Sequence, residues 1–371
     1  MKKALKILVV GQTPPPYGGQ AMMIQYMLDA NYNNVVFHHV RMCFSREMNE
    51  RGKMSLYKIT HLLSIIFNSI YLRYKFGIDV LYYPPSNAPK VSVFRDLIFL
   101  AFVRPFFKKT IFHFHAAGIS EFIPQQGALL QKVAKYVLNK PDLAITSSVH
   151  NPDDASFLNA KSVKVIPLGI PDDAANAPAA VSSSSTDTFS ILFVGLLNST
   201  KGEGFVLEAL HILKLRGYVN VQFRFAGKFE NEEYKNTFWN RVEELGLTNQ
   251  VTHLGVIVGD TKQAAFLQAD IFCFPSFFES ESFGIVLLEA MSYGLPLIAS
   301  RWRGIQSVVN DGENGYLVDI KNAKQIADKM EIFIKNPSLL HQMGKESRKL
   351  FQENYTIEAY LSNLEQTFLN L

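Results

Sequence analysis

The 371-residue sequence contains only two cysteines, Cys43 and Cys273. Two thiols cannot build a disulfide framework, which excludes the small secreted classes of protein that depend on one. Cys273 falls inside an apolar run and is expected to be a small buried hydrophobic residue. The low cysteine content therefore favours a folded protein of a reducing compartment, and we expect a cytoplasmic location.

Long apolar runs are also missing. No window of about 18 consecutive apolar residues occurs, so no transmembrane helix is expected. The start, MKKALKILVVG, has the basic residues of a signal peptide, but its apolar run is short, contains Lys6 and lacks a small-residue cleavage pattern. We interpret residues 6–10 as a buried strand instead.

Acidic residues are scarce in the first half of the chain. Residues 1–180 hold 20 Lys and Arg against 11 Asp and Glu, whereas residues 181–371 hold 17 against 22. A basic half favours an anionic partner, a membrane surface or a charged acceptor. Basic surface that only keeps the protein soluble gives the same composition, so charge alone leaves both interpretations open.

The composition, 48% hydrophobic and 19% charged, is that of a folded globular protein, and the length suggests two domains. Short runs rich in β-branched and aromatic residues alternate with longer helical patterns, which is typical of doubly wound parallel sheets. The predicted strands are residues 6–10, 35–39, 80–83, 110–114, 144–147, 163–166, 190–195, 221–226, 251–254, 269–274 and 297–300, with one more after the turn in NDGENGYLV.

One stretch interrupts this alternation. Residues 171–188, PDDAANAPAAVSSSSTDT, carry no apolar period and are expected to contain a flexible linker. We therefore predict an N-terminal Rossmann-like α/β domain over residues 1–175 and a linker over 176–188. A second Rossmann-like domain is predicted over 189–354, followed by a last helix within 355–371.

Two apolar helices with basic ends are predicted in the first domain, over residues 55–76 and 95–109. The apolar face of the first helix is predicted to contain Leu62, Leu63, Ile66, Ile70 and Tyr71. Such helices suit a peripheral membrane face. They equally suit helices that pack on the core of the domain, and both interpretations stay open.

The stretch FPSFFESESFGIVLLEAMSYGLPLIA, residues 274–299, carries the clearest chemistry. Glu281 lies just before a predicted helix, where unpaired N–H groups and the helix dipole favour anions such as phosphate. Gly284 permits close approach of the backbone to a ligand. Glu289 follows two helical turns later, so both carboxylates can face one site and accept hydrogen bonds from sugar hydroxyls. A capping glutamate and a solvated one are the alternative when the pair is considered alone.

Two further segments follow strands of the first domain. Gly18 and Gly19 lie between the first strand and a helix, in the unit that presents N–H groups to phosphate. A turn that needs positive φ explains the two glycines equally well. His113 and His115 share one face of the fourth strand. No third Cys, His or carboxylate cluster is visible near them to complete a metal site.

The string ESFGIVLLE, followed by AMSYGLP, strongly resembles the Glu-x7-Glu motif of the retaining GT-B glycosyltransferases of family four. The resemblance implies that Glu281 meets the donor sugar and Glu289 the ribose of the nucleotide. It is strong over residues 190–320 and loose over 1–180. It implies two Rossmann-like domains with an interdomain cleft, and a C-terminal helix that crosses back to the N-terminal domain.

The resemblance also implies how the donor is held. The family motif G-R-L-x-x-x-K-G stands here as GLLNSTKG, so Leu196 replaces the Arg that shares the diphosphate with Lys201. Arg301 and Arg303 are the nearest candidates by sequence to replace that cation. The catalytic residues implied are His115, Lys201 and Glu281. The donor-binding residues implied are Gly18, Gly19, Gly195, Lys201, Val256, Ile257, Glu281, Ser282, Phe283, Gly284, Ile285 and Glu289.

The activity implied is transfer of a sugar, with retention, from a nucleoside diphosphate sugar to a glycan or lipid-linked acceptor in polysaccharide or glycoconjugate synthesis. No metal or other cofactor is expected, and no two aspartates stand in D-x-D spacing. The expected partners are the nucleotide sugar, the acceptor and an anionic membrane surface met by the N-terminal domain at the inner face of the plasma membrane. No nucleic acid is expected. A GT-B nucleotide-sugar epimerase and a non-catalytic sugar-nucleotide or glycan-binding subunit are the alternatives, the second because of Leu196.

Overall fold

The computed structural model describes residues 4–15, 17–44, 56–87, 90–176 and 188–371. The chain divides into two compact units. The first unit comprises Met1–Leu168 and Ile357–Leu371, and the second comprises Gly169–Thr356. Residues 177–187 of the predicted linker lie outside the described residues, as does Ser55 at the start of the predicted helix 55–76.

The first unit contains one six-stranded sheet. Its strands are β1 (Leu5–Gly11), β2 (Val35–Arg41), β3 (Val80–Tyr83), β4 (Lys109–Phe114), β5 (Leu143–Thr146) and β6 (Val163–Val165). They are all parallel, in the order β2-β1-β3-β4-β5-β6. The central strands β1, β3 and β4 are almost wholly buried, which is the pattern of strands covered by helices on both faces.

Helices cover this sheet. In chain order they are α1 (Gly19–Asp29), α2 (Leu56–Phe76), α3 (Lys90–Val103), α4 (Ile119–Phe122), α5 (Ala128–Leu138) and α6 (Asp154–Phe157). α3 packs against both α2 and α5. One side of each of these three helices belongs to a common core. In this core Ile65 of α2, Leu97 of α3 and Val137 of α5 lie with Leu81 and Phe112 of the sheet. The three helices therefore form one layer on one face of the sheet.

The second unit contains another six-stranded parallel sheet. Its strands are β7 (Phe189–Val194), β8 (Val221–Ala226), β9 (Val251–His253), β10 (Ile271–Phe274), β11 (Leu297–Ser300) and β12 (Gly315–Val318). The order is β12-β11-β10-β7-β8-β9. The chain moves outward from β7 to β9 and then crosses to β10 on the other side of β7. The winding therefore reverses between β7 and β10, the place where open α/β sheets bind ligands.

The helices of the second unit are α7 (Glu203–Leu215), α8 (Glu232–Glu244), α9 (Gly259–Leu267), α10 (Ile285–Ser292), α11 (Ala323–Lys335) and α12 (Pro337–Asn354). The last helix, α13 (Ile357–Leu369), belongs to the first unit. Its buried residues Tyr360, Leu364 and Phe368 repeat every four positions, and the Phe368 ring packs on Phe37 of β2. A single apolar stripe thus attaches this helix to the first sheet.

The predicted pair of doubly wound parallel sheets is confirmed. The strands predicted at 80–83, 221–226 and 297–300 have those bounds in the structure. The helix predicted over 95–109 is wrong in its extent, because α3 begins at Lys90 and ends at Val103. Pro105 lies in the 3-10 turn that follows, and it has no N–H with which to continue the α-helix.

Candidate active site

Two loops meet at the winding reversal of the second sheet, one after β7 and one after β10. The Phe277 N–H, in the loop after β10, donates a hydrogen bond of 2.9 Å to the Thr200 carbonyl in the loop after β7. Gly202 lies at the start of α7 with φ of 96°, and a Cβ there would overlap the backbone carbonyl of Pro275. The loops approach too closely for a side chain at this position, which explains the glycine.

The two loops bring Lys201 and Glu281 into contact. The Lys201 Nζ atom lies 2.7 Å from Glu281 Oε2, and the Ser276 hydroxyl donates to the same oxygen at 3.2 Å. Lys201 Nζ also lies 4.5 Å from the centre of the Phe278 ring. The backbone of Lys201 is fixed in turn by Asn198, whose side-chain oxygen accepts its N–H at 3.1 Å. The site thus holds a cation and a carboxylate in one fixed arrangement, with their side chains 14% and 12% exposed.

The start of α10 adjoins this pair. Ser282 and Phe283 are buried, and Gly284 caps the helix with φ of 82°, so that Ile285 begins the first turn. The cap has no side-chain hydrogen bond, and the first turn contains no acidic residue. The positive end of the helix dipole is therefore left for an anion.

Glu289 lies further along α10. Its Oε1 atom accepts a hydrogen bond from Lys262 Nζ of α9 at 2.6 Å, whereas its buried Oε2 has no partner among the described residues. Burial raises the pKa of Glu289, and the adjacent Lys262 ammonium opposes that shift. Lys262 thus holds the Glu289 carboxylate in place, and Oε2 stays without a hydrogen bond among the described residues. We call it the unused oxygen of Glu289.

The remaining candidates of the second unit lie at the same edge of the sheet. Gly195 directly follows β7, and its N–H donates to the Ala226 carbonyl at the end of β8. Val256 and Ile257 follow β9, and Val256 is 70% exposed. These residues therefore lie at the same carboxyl edge of the second sheet as the loop that contains Lys201.

Both cations suggested as replacements for the Arg missing at Leu196 follow β11. Arg301 is exposed and pairs with Asp311 at 2.6 Å. Arg303 is only 8% exposed, adopts a positive φ of 42° and lies over the Trp302 ring. The Trp302 indole N–H donates to the Phe278 carbonyl at 2.9 Å. The structure therefore connects Arg303, and not Arg301, to the surroundings of Lys201.

In the first unit, Gly18 and Gly19 lie at the start of α1. Gly18 caps the helix in an extended conformation, with φ of −163°, and Gly19 is its first residue. A Cβ at Gly18 would meet nothing within 4 Å. The explanation of these glycines by a turn that needs positive φ is therefore wrong, because neither residue has one.

His115 follows β4 at the carboxyl edge of the first sheet. The Tyr82 hydroxyl lies 2.7 Å from His113 Nδ1 and 3.2 Å from His115 Nε2, and the two imidazoles stack with 4.0 Å between centroids. Burial lowers the pKa of His115 to about 3 and that of His113 well below its usual value, so both rings are neutral. Since one hydroxyl carries one proton, Tyr82 donates to one imidazole and accepts from the other.

Several residues of the site were not predicted from the sequence. Asn198 and Ser276 stand in turn-forming strings that signal a loop but no particular partner. Lys262 meets Glu289 from another helix, which no local pattern indicates. Across the ranges that the structure describes, no three His, Cys, Asp or Glu side chains are grouped to hold a metal ion. The expectation of a metal-independent site stays a prediction.

Residues 179–350 match the family model described as "Glycosyl transferases group 1". Among curated relatives, D-inositol 3-phosphate glycosyltransferase of Paenarthrobacter aurescens is 32% identical over 160 residues, which is 43% of this chain and 38% of that protein. Phosphatidyl-myo-inositol mannosyltransferase of Mycobacterium leprae is 33% identical over 150 residues, 40% of this chain and 38% of that protein. The chain thus spans less than half the length of these relatives.

Solved structures match almost the whole chain. Alr3699/HepE of Anabaena, in complex with UDP and glucose, superposes with a TM-score of 0.75 at 17% identity, covering 99% of this chain and 100% of that one. Sucrose-phosphate synthase of Thermosynechococcus elongatus gives a TM-score of 0.73 at 19% identity, covering 99% and 98%. At such identities the likeness establishes the GT-B fold and leaves the activity to other evidence.

Proposed function

We propose that this chain, whose residues 179–350 match the glycosyl transferases group 1 family model, is a retaining glycosyltransferase with a nucleoside diphosphate sugar as donor. The observation that carries this proposal is the contact of Lys201 with Glu281 beside the open N-terminus of α10. An ammonium group and a helix N-terminus suit a diphosphate, and a carboxylate suits sugar hydroxyls.

In the proposed reaction the bond between the anomeric carbon and the diphosphate oxygen breaks, and its electron pair leaves with the diphosphate. The Lys201 ammonium and the first turn of α10 stabilise the charge that develops there. The acceptor hydroxyl bonds to the anomeric carbon on the face that the diphosphate leaves, and its proton passes to the departing diphosphate. Lys201 exchanges Glu281 for the diphosphate, which frees Glu281 to accept hydrogen bonds from the sugar.

The nucleotide end of the donor is proposed to lie along α10 and the ends of β7 and β9. The unused oxygen of Glu289 supports a role in accepting a ribose hydroxyl. Gly195, Val256 and Ile257 lie where the base would follow. Because the Anabaena protein was solved with UDP and glucose, uridine nucleotides are the first donors to test.

A glycan or lipid-linked acceptor is proposed for the first unit. The basic composition of residues 1–180 supports an anionic acceptor or an anionic membrane surface at the cytoplasmic face. Two relatives are named for an inositol 3-phosphate and for a phosphatidyl-myo-inositol, and both of these molecules carry a phosphate. These names agree with an anionic acceptor. The role of His115 at the donor sugar stays a prediction.

Incubation of the full chain with a panel of nucleotide sugars, without acceptor, tests the proposal. Slow release of nucleoside diphosphate and free sugar is the result expected of the transferase. Formation of the 2-epimer would replace the proposal with a nucleotide-sugar epimerase. Binding without any turnover, with added acceptors also inert, would leave a non-catalytic binding subunit.

A further inference from the structure

The outer side of the helical layer formed by α2, α3 and α5 exposes large apolar side chains. Leu63, Phe67 and Tyr71 stand four residues apart on α2, and Phe94, Ile98 and Phe102 do so on α3. Each of these six side chains is between 46% and 70% exposed. We call these six residues the apolar face. Spacing by four places each trio on one stripe of its helix, and the two helices are neighbours.

This face is separate from the side of the helices that stabilises the fold. Ile65 of α2 and Val93, Leu97 and Leu100 of α3 are buried in the core of the first unit. The helices are therefore apolar on two sides, although one apolar side is enough to attach a helix to a sheet. A contiguous exposed apolar patch of this kind marks an interaction surface.

The charges around the apolar face are mostly basic, and Asp79, just after α2, is an acidic exception that pairs with Arg73 and Lys108. α2 and α5 contain no Asp or Glu, and Asp96 of α3 is 2% exposed and accepts a hydrogen bond from Tyr83. The exposed lysines within the three helices are Lys75, Lys90, Lys132 and Lys135. An apolar and aromatic centre with a cationic rim matches the headgroup boundary of a bilayer that contains anionic lipid.

We propose that the apolar face docks on the surface of an anionic phospholipid bilayer. A second copy of the chain fits less well, because a two-fold dimer through this face would place the lysine rims of both copies against each other. Among the described residues, none of the helices has the length and hydropathy of a transmembrane span. This assigns the anionic membrane contact of the proposed function to the apolar face. Binding to the bilayer can be measured without any glycosyl transfer.

Flotation of the full chain with phosphatidylcholine vesicles, with and without phosphatidylglycerol, tests the proposal. We expect binding to the anionic vesicles that weakens with salt. Phe67→Ser combined with Phe102→Ser should lower the partition at least about tenfold, because each phenyl ring loses its burial at the acyl boundary. Lys132→Glu combined with Lys135→Glu should lower it on anionic vesicles alone.

Leu215→Ser combined with Val219→Ser is the matched control, since these side chains of the second unit are 74% and 61% exposed. This control should float like the wild type, and thermal unfolding should show all the variants folded. Equal partition to neutral and anionic vesicles would overturn the proposal. A wild-type dimer in sedimentation that the Phe67/Phe102 variant abolishes, without lipid binding, would assign the face to a second copy. Absence of lipid binding would leave the proposed donor site untouched, and absence of turnover with nucleotide sugars would leave the membrane contact untouched.

Discussion

Lys201 Nζ and Glu281 Oε2 lie 2.7 Å apart, so one contact joins the cation proposed for the diphosphate to the carboxylate proposed for the sugar. Both side chains are largely buried, and removal of either leaves the other charge without its partner. Substitutions here are therefore expected to affect stability as well as turnover, and each activity measurement needs an unfolding measurement beside it.

Glu281→Gln should keep the fold and lose most turnover. The amide has the shape of the carboxylate but cannot match its charge-assisted hydrogen bonds to sugar hydroxyls. Steady-state kcat/KM with the best donor of the panel measures the loss. Glu279→Gln is the matched control, because Glu279 is exposed in the same loop. Wild-type turnover by Glu281→Gln would remove Glu281 from the donor site.

Glu289→Ala should chiefly weaken nucleotide binding, because it removes the unused oxygen that we assign to the ribose. Lys262→Met breaks the same ion pair but leaves that acceptor in place, so it should weaken binding less. Titration calorimetry with UDP separates the two effects. If both variants lose affinity equally, Glu289 acts only through its ion pair.

Chelation should leave the activity unchanged. The reason is that Lys201 and the N-terminus of α10 are proposed to balance the diphosphate, and the sequence has no D-x-D spacing. Rates before and after EDTA treatment, with manganese or magnesium added back, make the comparison. A loss in EDTA that either metal restores would contradict the metal-independent mechanism.

Much of the architecture follows from local pattern. β10 and β11 are apolar runs bounded by proline, glycine and serine, so they could be predicted with few errors. The positions of Glu281 and Glu289 on one loop and helix also follow from spacing. The partners of those carboxylates do not, because Lys201 and Lys262 come from other loops and helices that only the order of the strands brings near.

The apolar helices of the first unit show the same limit. Periodicity identified the helix that became α2 and placed Leu63 and Tyr71 on its apolar side with Leu62 and Ile66. In the structure Leu63 and Tyr71 are at least half exposed, whereas Leu62 and Ile66 pack against the core. A helix that is apolar over most of its circumference does not reveal which side faces the sheet.

Glu203→Gln should stabilise the protein increasingly as pH rises from about 5 to 8. Glu203 is fully buried at the first residue of α7, and this burial raises its pKa to about 8 although hydrogen bonding from Tyr234 opposes the shift. Between its unfolded and folded pKa the unfolded chain has released a proton that the folded chain keeps, so stability falls as pH rises through this window. The slope is at most about 1.4 kcal/mol per pH unit.

Urea unfolding of wild type and Glu203→Gln at several pH values measures that slope. Glu243→Gln, on the exposed side of α8, is the control for loss of a carboxylate. A difference between wild type and Glu203→Gln that stays constant from pH 5 to pH 8 would show that Glu203 ionises as an ordinary glutamate.

Arg303 should supply the cation that Leu196 lacks. It is almost fully buried, and its positive φ is a conformation that costs a non-glycine residue of order 1 kcal/mol or more, which its surroundings must offset. It lies over Trp302, which is hydrogen-bonded to Phe278, the residue whose ring Lys201 touches. Removing one charged contact to the leaving group costs about 1.5–3 kcal/mol. Arg303→Met and Lys201→Ala should therefore each lower kcat/KM by roughly ten- to a hundredfold or more.

Arg301→Met is the matched control for this last prediction, because Arg301 is paired with Asp311 at the surface and should stay within about twofold of wild type. A structural role for Arg303 would also lower activity, so a second variant is needed to tell the two apart. Leu196→Arg restores a cation on the loop after β7 and should recover part of the activity lost in Arg303→Met. If Lys201→Ala keeps kcat/KM within about twofold of wild type, the diphosphate site is misplaced. If Leu196→Arg rescues nothing, Arg303 acts by packing against Trp302, and Lys201 alone balances the leaving diphosphate.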